Sequence, residues 1–115
     1  MISPKLSVVV CTRNRGAYLL NALRTYEEIS TDLAWELVVV DNGSTDSTQQ
    51  VLSEFASETD IHIRVTSERH VGLSRARNAG WRYATGEIVA FSDDDCYPQV
   101  DFVDAVWNNF AEARL

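Results

Sequence analysis

The sequence predicts an α/β domain, a doubly wound and mostly parallel sheet with helices on both faces. Two observations carry this. Three short apolar runs, residues 6–11 (LSVVVC), 36–40 (ELVVV) and 87–91 (EIVAF), are rich in β-branched residues and bounded by polar or turn residues. Unbroken apolar runs of that length fit parallel strands covered on both sides. Stretches with helical spacing alternate with them along the chain, which is the pattern of a sheet wound by crossover helices. At 115 residues, with 45% apolar and 23% charged residues, the chain has the size and balance of one soluble domain.

The elements follow in order. After the first strand, residues 17–28 place Leu20, Leu23 and either Tyr26 or Glu27 along one helical stripe. After the second strand, GSTD precedes a helix over residues 47–56, where Ser44 or Thr45 can cap and Asp46 suits the positive helix N-terminus. Residues 61–65 (IHIRV) alternate in polarity, which predicts a strand nearer an edge. Residues 73–84 put Leu73, Ala76, Gly80 and Ala84 on one helical face. The last helix, residues 100–113, carries Phe102, Val103, Val106, Trp107 and Phe110, with Asp101 and Asp104 favouring its start. Tyr18, Trp35, Trp81 and Trp107 read as packing residues, and Cys11 as a small core residue.

Charge and cysteine content narrow the function. A net charge of −7 argues against a general nucleic-acid or anionic-membrane surface. Yet Arg64, Arg69, Arg75, Arg77 and Arg82 are half of the ten basic residues, so a local anion site fits within an acidic protein. Cys11 and Cys96 stand at no metal-like spacing, which argues against a zinc site or a disulfide framework. The N-terminus does not read as a signal peptide and no run reaches the length of a membrane span. The expected location is cytoplasmic, with any membrane association supplied by other regions.

In a parallel sheet of this kind, ligands bind at the carboxyl ends of the strands. Here those ends are polar: Thr12-Arg13-Asn14-Arg15, Asp41-Asn42-Gly43-Ser44 and Ser92-Asp93-Asp94-Asp95. Asp93 and Asp95 point to one side if strand geometry continues through them. Two hard carboxylates there suit Mg²⁺ or Mn²⁺, with waters and phosphate oxygens completing the shell; the bland alternative is an Asp-rich surface turn. Asp41-Asn42-Gly43-Ser44 predicts an Asx-type turn with Gly43 left-handed and Ser44 capping the next helix. Asp41 and Asn42 are also placed to hydrogen-bond a base or ribose. Arg75, Asn78 and Arg82 share the face opposite the apolar one, a solvated face. Arg77 lies beside the apolar face and needs a carboxylate or phosphate partner. His70, just before Gly72, can reach a phosphate near the helix N-terminus.

Taken together and in this order, SVVVCTRNR, ELVVVDNGSTDST and GLSRARNAGWRYATGEIVAFSDDD resemble the family 2 glycosyltransferases with the GT-A fold, over Ser7 to Phe110. The resemblance implies transfer of a sugar, with inversion, from a UDP-, GDP- or dTDP-linked donor to a glycan or lipid-linked acceptor hydroxyl. It implies that Thr12 and Arg13 lie against the nucleoside, and that Asp41 and Asn42 read base and ribose. Asp93 and Asp95 match the D-x-D motif that holds Mg²⁺ or Mn²⁺ against the donor diphosphate, Asp94 being the intervening residue. Arg77 and Asn78 match the family's RN pair, which supports the diphosphate or braces the metal loop.

Two departures bear on this. Many relatives have two acids where this chain has Asp41-Asn42. The chain also stops at Leu115, and the acceptor half with its general base is expected beyond that point. Residues 1–115 then form a single donor-binding half, with the sheet incomplete at the C-terminus, an edge that would favour a homodimer, and no catalytic base of their own. The rival enzyme class, a sugar-1-phosphate nucleotidyltransferase, needs a Gly-rich, Lys-containing loop after the first strand, where this chain has CTRNRGAY and its only lysine is Lys5. A receiver domain needs acids there, and a dinucleotide module needs G-x-G-x-x-G. A non-catalytic nucleotide-sugar binding module, or a glycosyltransferase inactive through truncation, is the remaining alternative.

Overall fold

The computed structural model describes residues 3–113. Leu115, the position beyond which the general base is expected, lies outside the described residues. Four strands, β1 (Leu6–Thr12), β2 (Trp35–Asp41), β3 (Ile63–Ser67) and β4 (Ile88–Asp93), alternate with four helices, α1 (Leu19–Tyr26), α2 (Thr48–Glu58), α3 (Leu73–Tyr83) and α4 (Phe102–Ala113). The strands form one sheet in the order β3-β2-β1-β4. Every pairing is parallel, with Val8 opposite Leu37 and Ala90, and Val39 opposite Val65. The β-strand expected over residues 61–65 starts two residues later and is indeed an edge.

Strand alternation sorts the core into two layers. Leu6, Val8, Val10, Leu37 and Val39 face α1, α2 and α4, where they meet Leu19, Leu23, Tyr26, Leu52, Phe55 and Val103. Val9, Val38 and Val40 face α3 through Ala76, with Ala79 and Ala84 packed alongside. This division follows from connection handedness. Passing from β1 to β2 to β3 moves one way across the sheet, and returning to β4 moves the other way. Right-handed crossovers therefore put α3 on the face opposite α1 and α2.

Helix α3 meets the sheet through its smallest residues. A Cβ on Gly80 would stand 2.4 Å from Val9 Cγ1 and 3.0 Å from Val40 Cγ2. The expected apolar face holds at Ala76, Gly80 and Ala84 but not at Leu73, which is 55% exposed. Tyr18 and Trp81, expected in packing, are also exposed. Trp35 does pack against the larger core layer. On the larger face Tyr26 is 1% exposed and donates its hydroxyl to Ser92 Oγ at 3.1 Å, tying α1 to β4. Burial pushes its phenol pKa upward.

A buried carboxylate holds the other end of the sheet. Glu36 on β2 has no exposed surface. It accepts hydrogen bonds from the Ser7 hydroxyl on β1, from Arg64 Nη1 on β3 at 3.1 Å, and from the backbone and hydroxyl of Thr85 at 2.8 and 3.0 Å. Ser7 Oγ in turn accepts from Gly86 N, and Arg64 donates to Tyr83 O while lying 4.1 Å from the Tyr83 ring centre. Burial alone pushes the Glu36 carboxyl up, but the bonds from Ser7, Thr85 and Arg64 outweigh it and hold its pKa below the ordinary value. One side chain thus joins three strands and the α3–β4 connection.

Three substitutions test this packing. Gly80→Ala is expected to destabilise the chain by about 1–2 kcal/mol in urea unfolding, because overpacking against Val9 exceeds the gain in helix propensity. Glu36→Ala leaves Arg64 and three donors without their acceptor and is expected to lose about 3 kcal/mol. A carboxyl whose folded pKa is depressed stabilises above its unfolded pKa and loses that contribution as pH falls through the folded value. Glu36→Gln is therefore expected to flatten the acid limb of the stability–pH curve, measured by urea unfolding between pH 7 and 3.

Candidate functional site

The strand order reverses between β1 and β4, and their carboxyl ends meet there. Register aligns Thr12 with Asp41 across one pairing and Cys11 with Asp93 across the other. An open cleft of about 470 Å³ lies over these tips, lined by Thr12 at the end of β1 with Arg13 and Arg15 just after it, by Asp93 at the end of β4 with Asp94 and Asp95 just after it, and by Asn42 and Val71–Leu73. Cys11 also lines it, partly buried and packed against the smaller core layer, as expected of a small core residue. Burial pushes its thiol pKa up, partly offset by Arg77. A larger cavity of about 590 Å³ lies between α2 and β3, with Asp41 at its wall and none of the aspartate triplet.

The triplet divides its labour. β4 ends at Asp93, and Cys96 N donates to Asp93 O at 3.2 Å. A turn, not a continuing strand, therefore carries Asp95. The turn still brings the two carboxylates together: ligand atoms of Asp93, Asp95 and Cys96 all lie within 4.8 Å of one another. Asp94 points elsewhere. Its Oδ2 accepts from Thr12 Oγ1 at 3.0 Å and faces Arg15 Nε at 3.5 Å. Among the described residues no cation pairs with Asp93 or Asp95. Opposite ligands of a small hard cation stand about 4 Å apart, so the spacing of these atoms fits one divalent ion.

The loop after β1 is fastened to the loop after β2. Asn14 takes a left-handed conformation, φ 52°. Its amide N donates to Ser44 Oγ at 2.9 Å and its Oδ1 accepts from Thr45 N at 2.7 Å. Arg15 N donates to Thr48 Oγ1 at 3.0 Å. Asp46 accepts from Gly16 N at 3.1 Å with one oxygen and from Thr48 N at 2.9 Å with the other. The Thr48 hydroxyl and amide, with Gly16 behind them, hold the Asp46 carboxyl below its ordinary pKa. Asp46 thus does the capping expected of Ser44 or Thr45.

Asp41 and Asn42 form the expected Asx-type turn, with Ser44 N donating to Asp41 Oδ1 at 3.2 Å and Gly43 at φ 71°. The two side chains then part. Asp41 is 2% exposed, and its Oδ2 is buried with no hydrogen-bond partner among the described residues. Asn42 points into the β3–α3 loop. His70 does not stand free for an anion: Glu68 Oε2 accepts from His70 N at 2.9 Å and lies 3.2 Å from Nδ1. Those contacts, the backbone one first, lower the Glu68 pKa. Arg77 is exposed, with its guanidinium 6.0 Å from the Phe91 ring centre, and among the described residues it forms no ion pair. Arg75, Asn78 and Arg82 are exposed on α3, as expected of a solvated face. Arg77 and Asn78 are not among the residues lining the cleft.

Sequence reasoning missed four contributors. Arg15 was visible in the polar run after β1 but carries no pattern that separates it from Arg13. Cys96 joins the carboxylates through a turn, not a spacing. Leu73 and Val71 are apolar residues turned to the cleft, where periodicity assigned Leu73 to the core.

Comparison with known proteins places this geometry. The model for glycosyl transferase family 2 matches residues 7–115. The chain belongs to that family. Among its relatives, the glycosyltransferase GlyA of Streptococcus pneumoniae is 33% identical over 97% of this chain and 16% of its own length. The validoxylamine A glucosyltransferase of Streptomyces hygroscopicus is 36% identical over 90% of this chain and 25% of its own. Among solved structures, S. aureus TarS in complex with UDP superposes with a TM-score of 0.79 at 28% identity, over 94% of this chain and 32% of that one. The mannosyltransferase PcManGT of Pyrobaculum calidifontis, in complex with GDP-Man and Mn²⁺, gives 0.74 at 31% identity, over 85% and 29%. The chain thus spans less than a third of the length of these proteins. Among its described residues no helix is long and apolar enough to cross a membrane.

Proposed function

We propose that this chain is the donor-binding half of an inverting glycosyltransferase that uses a nucleoside-diphosphate sugar and Mg²⁺ or Mn²⁺. The observation that carries the reading is the meeting of Asp93 and Asp95, within 4.8 Å, with Thr12, Arg13 and Arg15 across one cleft. Relatives solved with UDP and with GDP-Man and Mn²⁺ support the donor class and the ion.

The roles follow from chemistry. Asp93 and Asp95 would hold the cation, which when bound supplies Lewis-acid neutralisation of a departing diphosphate. Arg13 and Arg15 add positive charge beside the same oxygens. Thr12 and Arg13 flank the nucleoside. Asp41 supplies a buried acceptor that needs an N–H or O–H donor, as a base or ribose offers. Asn42 belongs to the same side of the donor. Arg77 and Asn78 on α3 support the diphosphate or brace the loop that carries the triplet. In the reaction the bond between the anomeric carbon and the diphosphate oxygen breaks, and its electron pair stays on that oxygen. The acceptor oxygen bonds to the opposite face of the same carbon, and its proton passes to a base. None of the chain's residues is assigned that last role.

Two carboxylates that repel each other in the absence of an ion bind one weakly alone and better when phosphate oxygens complete the shell. Calorimetry with UDP, GDP, dTDP and their sugars is expected to show nucleotide binding strengthened by Mn²⁺. Asp93→Asn/Asp95→Asn is expected to remove that strengthening, a loss of tenfold or more. Asp94→Asn, which keeps an acceptor for Thr12, is expected to retain it within about threefold. Nucleotide binding that ignores Mn²⁺ and survives the double substitution overturns the metal role, and a wild-type chain that binds no nucleotide overturns the donor reading.

A further inference from the structure

The side chain of Asn42 is 5% exposed and is occupied by one segment of backbone. Its Nδ2 donates to Glu68 O at 2.7 Å and to His70 O at 3.0 Å, and its Oδ1 accepts from Gly72 N at 3.0 Å. Carbonyls only accept and a backbone N–H only donates, so the amide has a single workable orientation. Both Nδ2 hydrogens are used. The backbone adds to this seam: Asn42 N donates to Thr12 O at 2.8 Å, and Glu68 N donates to Asp41 O at 3.0 Å. Next along the turn, a Cβ on Gly43 would lie 3.2 Å from Arg69 O and 3.3 Å from Val71 Cγ2. The turn after β2 and the loop before α3 are therefore in close contact over several residues.

That loop leads directly into Val71, Gly72 and Leu73, which line the same cleft as Asp93–Asp95. Val71 and Leu73 are 58% and 55% exposed, so packing of their own side chains does not hold them in place. Gly72 sits at φ 153°, a conformation that other residues rarely adopt. What fixes this wall is its hydrogen bonding, and Asn42 supplies three of those bonds.

We infer that Asn42 is a positioning residue: its amide builds the 68–72 wall of the cleft, and position 42 must carry an amide, not a carboxylate, for that wall to form. Aspartate has the same shape but no N–H. It would place an ionised oxygen against two carbonyl oxygens and keep only the bond from Gly72 N. A second acid after Asp41, common in the family that the chain resembles, cannot hold this loop in this way. The inference rests on the proposed function only in taking the cleft as the nucleotide site, and it assigns Asn42 an indirect part in that site, with no reading of the base by its side chain.

The test compares Asn42→Asp with the wild-type chain in calorimetric binding of UDP, GDP and dTDP with Mn²⁺, together with backbone amide hydrogen exchange. Asn42→Asp is expected to weaken all three nucleotides by one common factor, roughly tenfold near pH 7.5. Exchange is expected to rise over residues 68–72 and to stay unchanged in β1 and β4. Lowering the pH toward 5 protonates the introduced carboxyl, restores one donor and narrows the gap to wild type. The neighbouring titratable groups, Asp41, Glu68 and His70, are common to both proteins and cancel in that ratio. If Asn42→Asp fails to fold, Gly72→Ala strains the same loop from its far end, since φ 153° disfavours alanine while leaving room for its Cβ, and the same uniform loss is expected. A loss confined to one base would make Asn42 a direct reader and overturn the inference, as would unchanged exchange over 68–72 or freed exchange with unaltered binding. If the wild-type chain binds no nucleotide, the donor reading fails, and exchange with its pH rescue alone decides whether Asn42 builds the loop.

Discussion

The parallel pairing of β1 with β4 is the constraint on which the rest depends. It sets Cys11 against Asp93 and so brings the loops after the first and last strands to one point. Reaching β4 requires the chain to cross back over β2 and β1 on the opposite face, which among the described residues is covered by α3. Its contact surface of Ala76, Ala79, Gly80 and Ala84 lets the helix lie close on Val9, Val38 and Val40. A bulkier surface there would lift α3 and with it the loop over residues 68–72. Small residues in one helix are thus linked, through topology, to the position of carboxylates that they do not touch.

Three adjacent aspartates at a strand end carry a repulsion that the fold relieves only in part. Asp94 is drawn across the cleft to Thr12 and Arg15. This neutralises one charge and fastens the β4 turn to the β1 loop, which is itself fastened to the β2–α2 loop by Asn14, Asp46 and Thr48. Asp93 and Asp95 stay beside each other. Drawing the middle carboxylate away from the cluster lowers the repulsion among the three.

Much of this was legible in the residues. Apolar β-branched runs gave β1 and β2, the two inner strands, because a strand covered on both faces needs mostly apolar side chains; the same kind of run gave β4, which instead lies at one edge and is only partly buried, and alternation at 61–65 gave the other edge, β3. Polar strand ends marked the cleft, since apolar strands stop where polar groups begin. Other features were not legible for identifiable reasons. Leu73, Tyr18 and Trp81 looked like packing residues because periodicity records what a face would bury, not whether a partner covers it. The Asp93–Asp95 pairing was expected from strand alternation, yet the turn at Asp93–Cys96 produces it; both geometries bring residues two apart together, so the residue pattern could not separate them. Glu36 read as the polar start of a strand, because its partners come from Ser7, Arg64 and Thr85, far apart in the chain and joined only by the fold.

The two ends of the sheet show how structural and ligand-binding charge can be told apart. Both ends carry buried carboxylates on β2, Glu36 near the amino ends of the strands and Asp41 at the carboxyl ends. Around Glu36 the surrounding donors are matched to the acceptors: Ser7, Thr85 and Arg64 use both oxygens, and the residue has no exposed surface. Around Asp41 one oxygen is held by Ser44 N and the other has no partner, within a wall of a cavity. A buried acceptor without a donor is unfavourable by a few kcal/mol unless something else supplies the donor. A fold that satisfies one end fully has the means to satisfy the other. Among the described residues, the buried side-chain atom left without a partner, Asp41 Oδ2, therefore lies at the carboxyl end of the sheet, on the cavity between α2 and β3, and that asymmetry is a physical argument for a ligand that needs no reference to relatives.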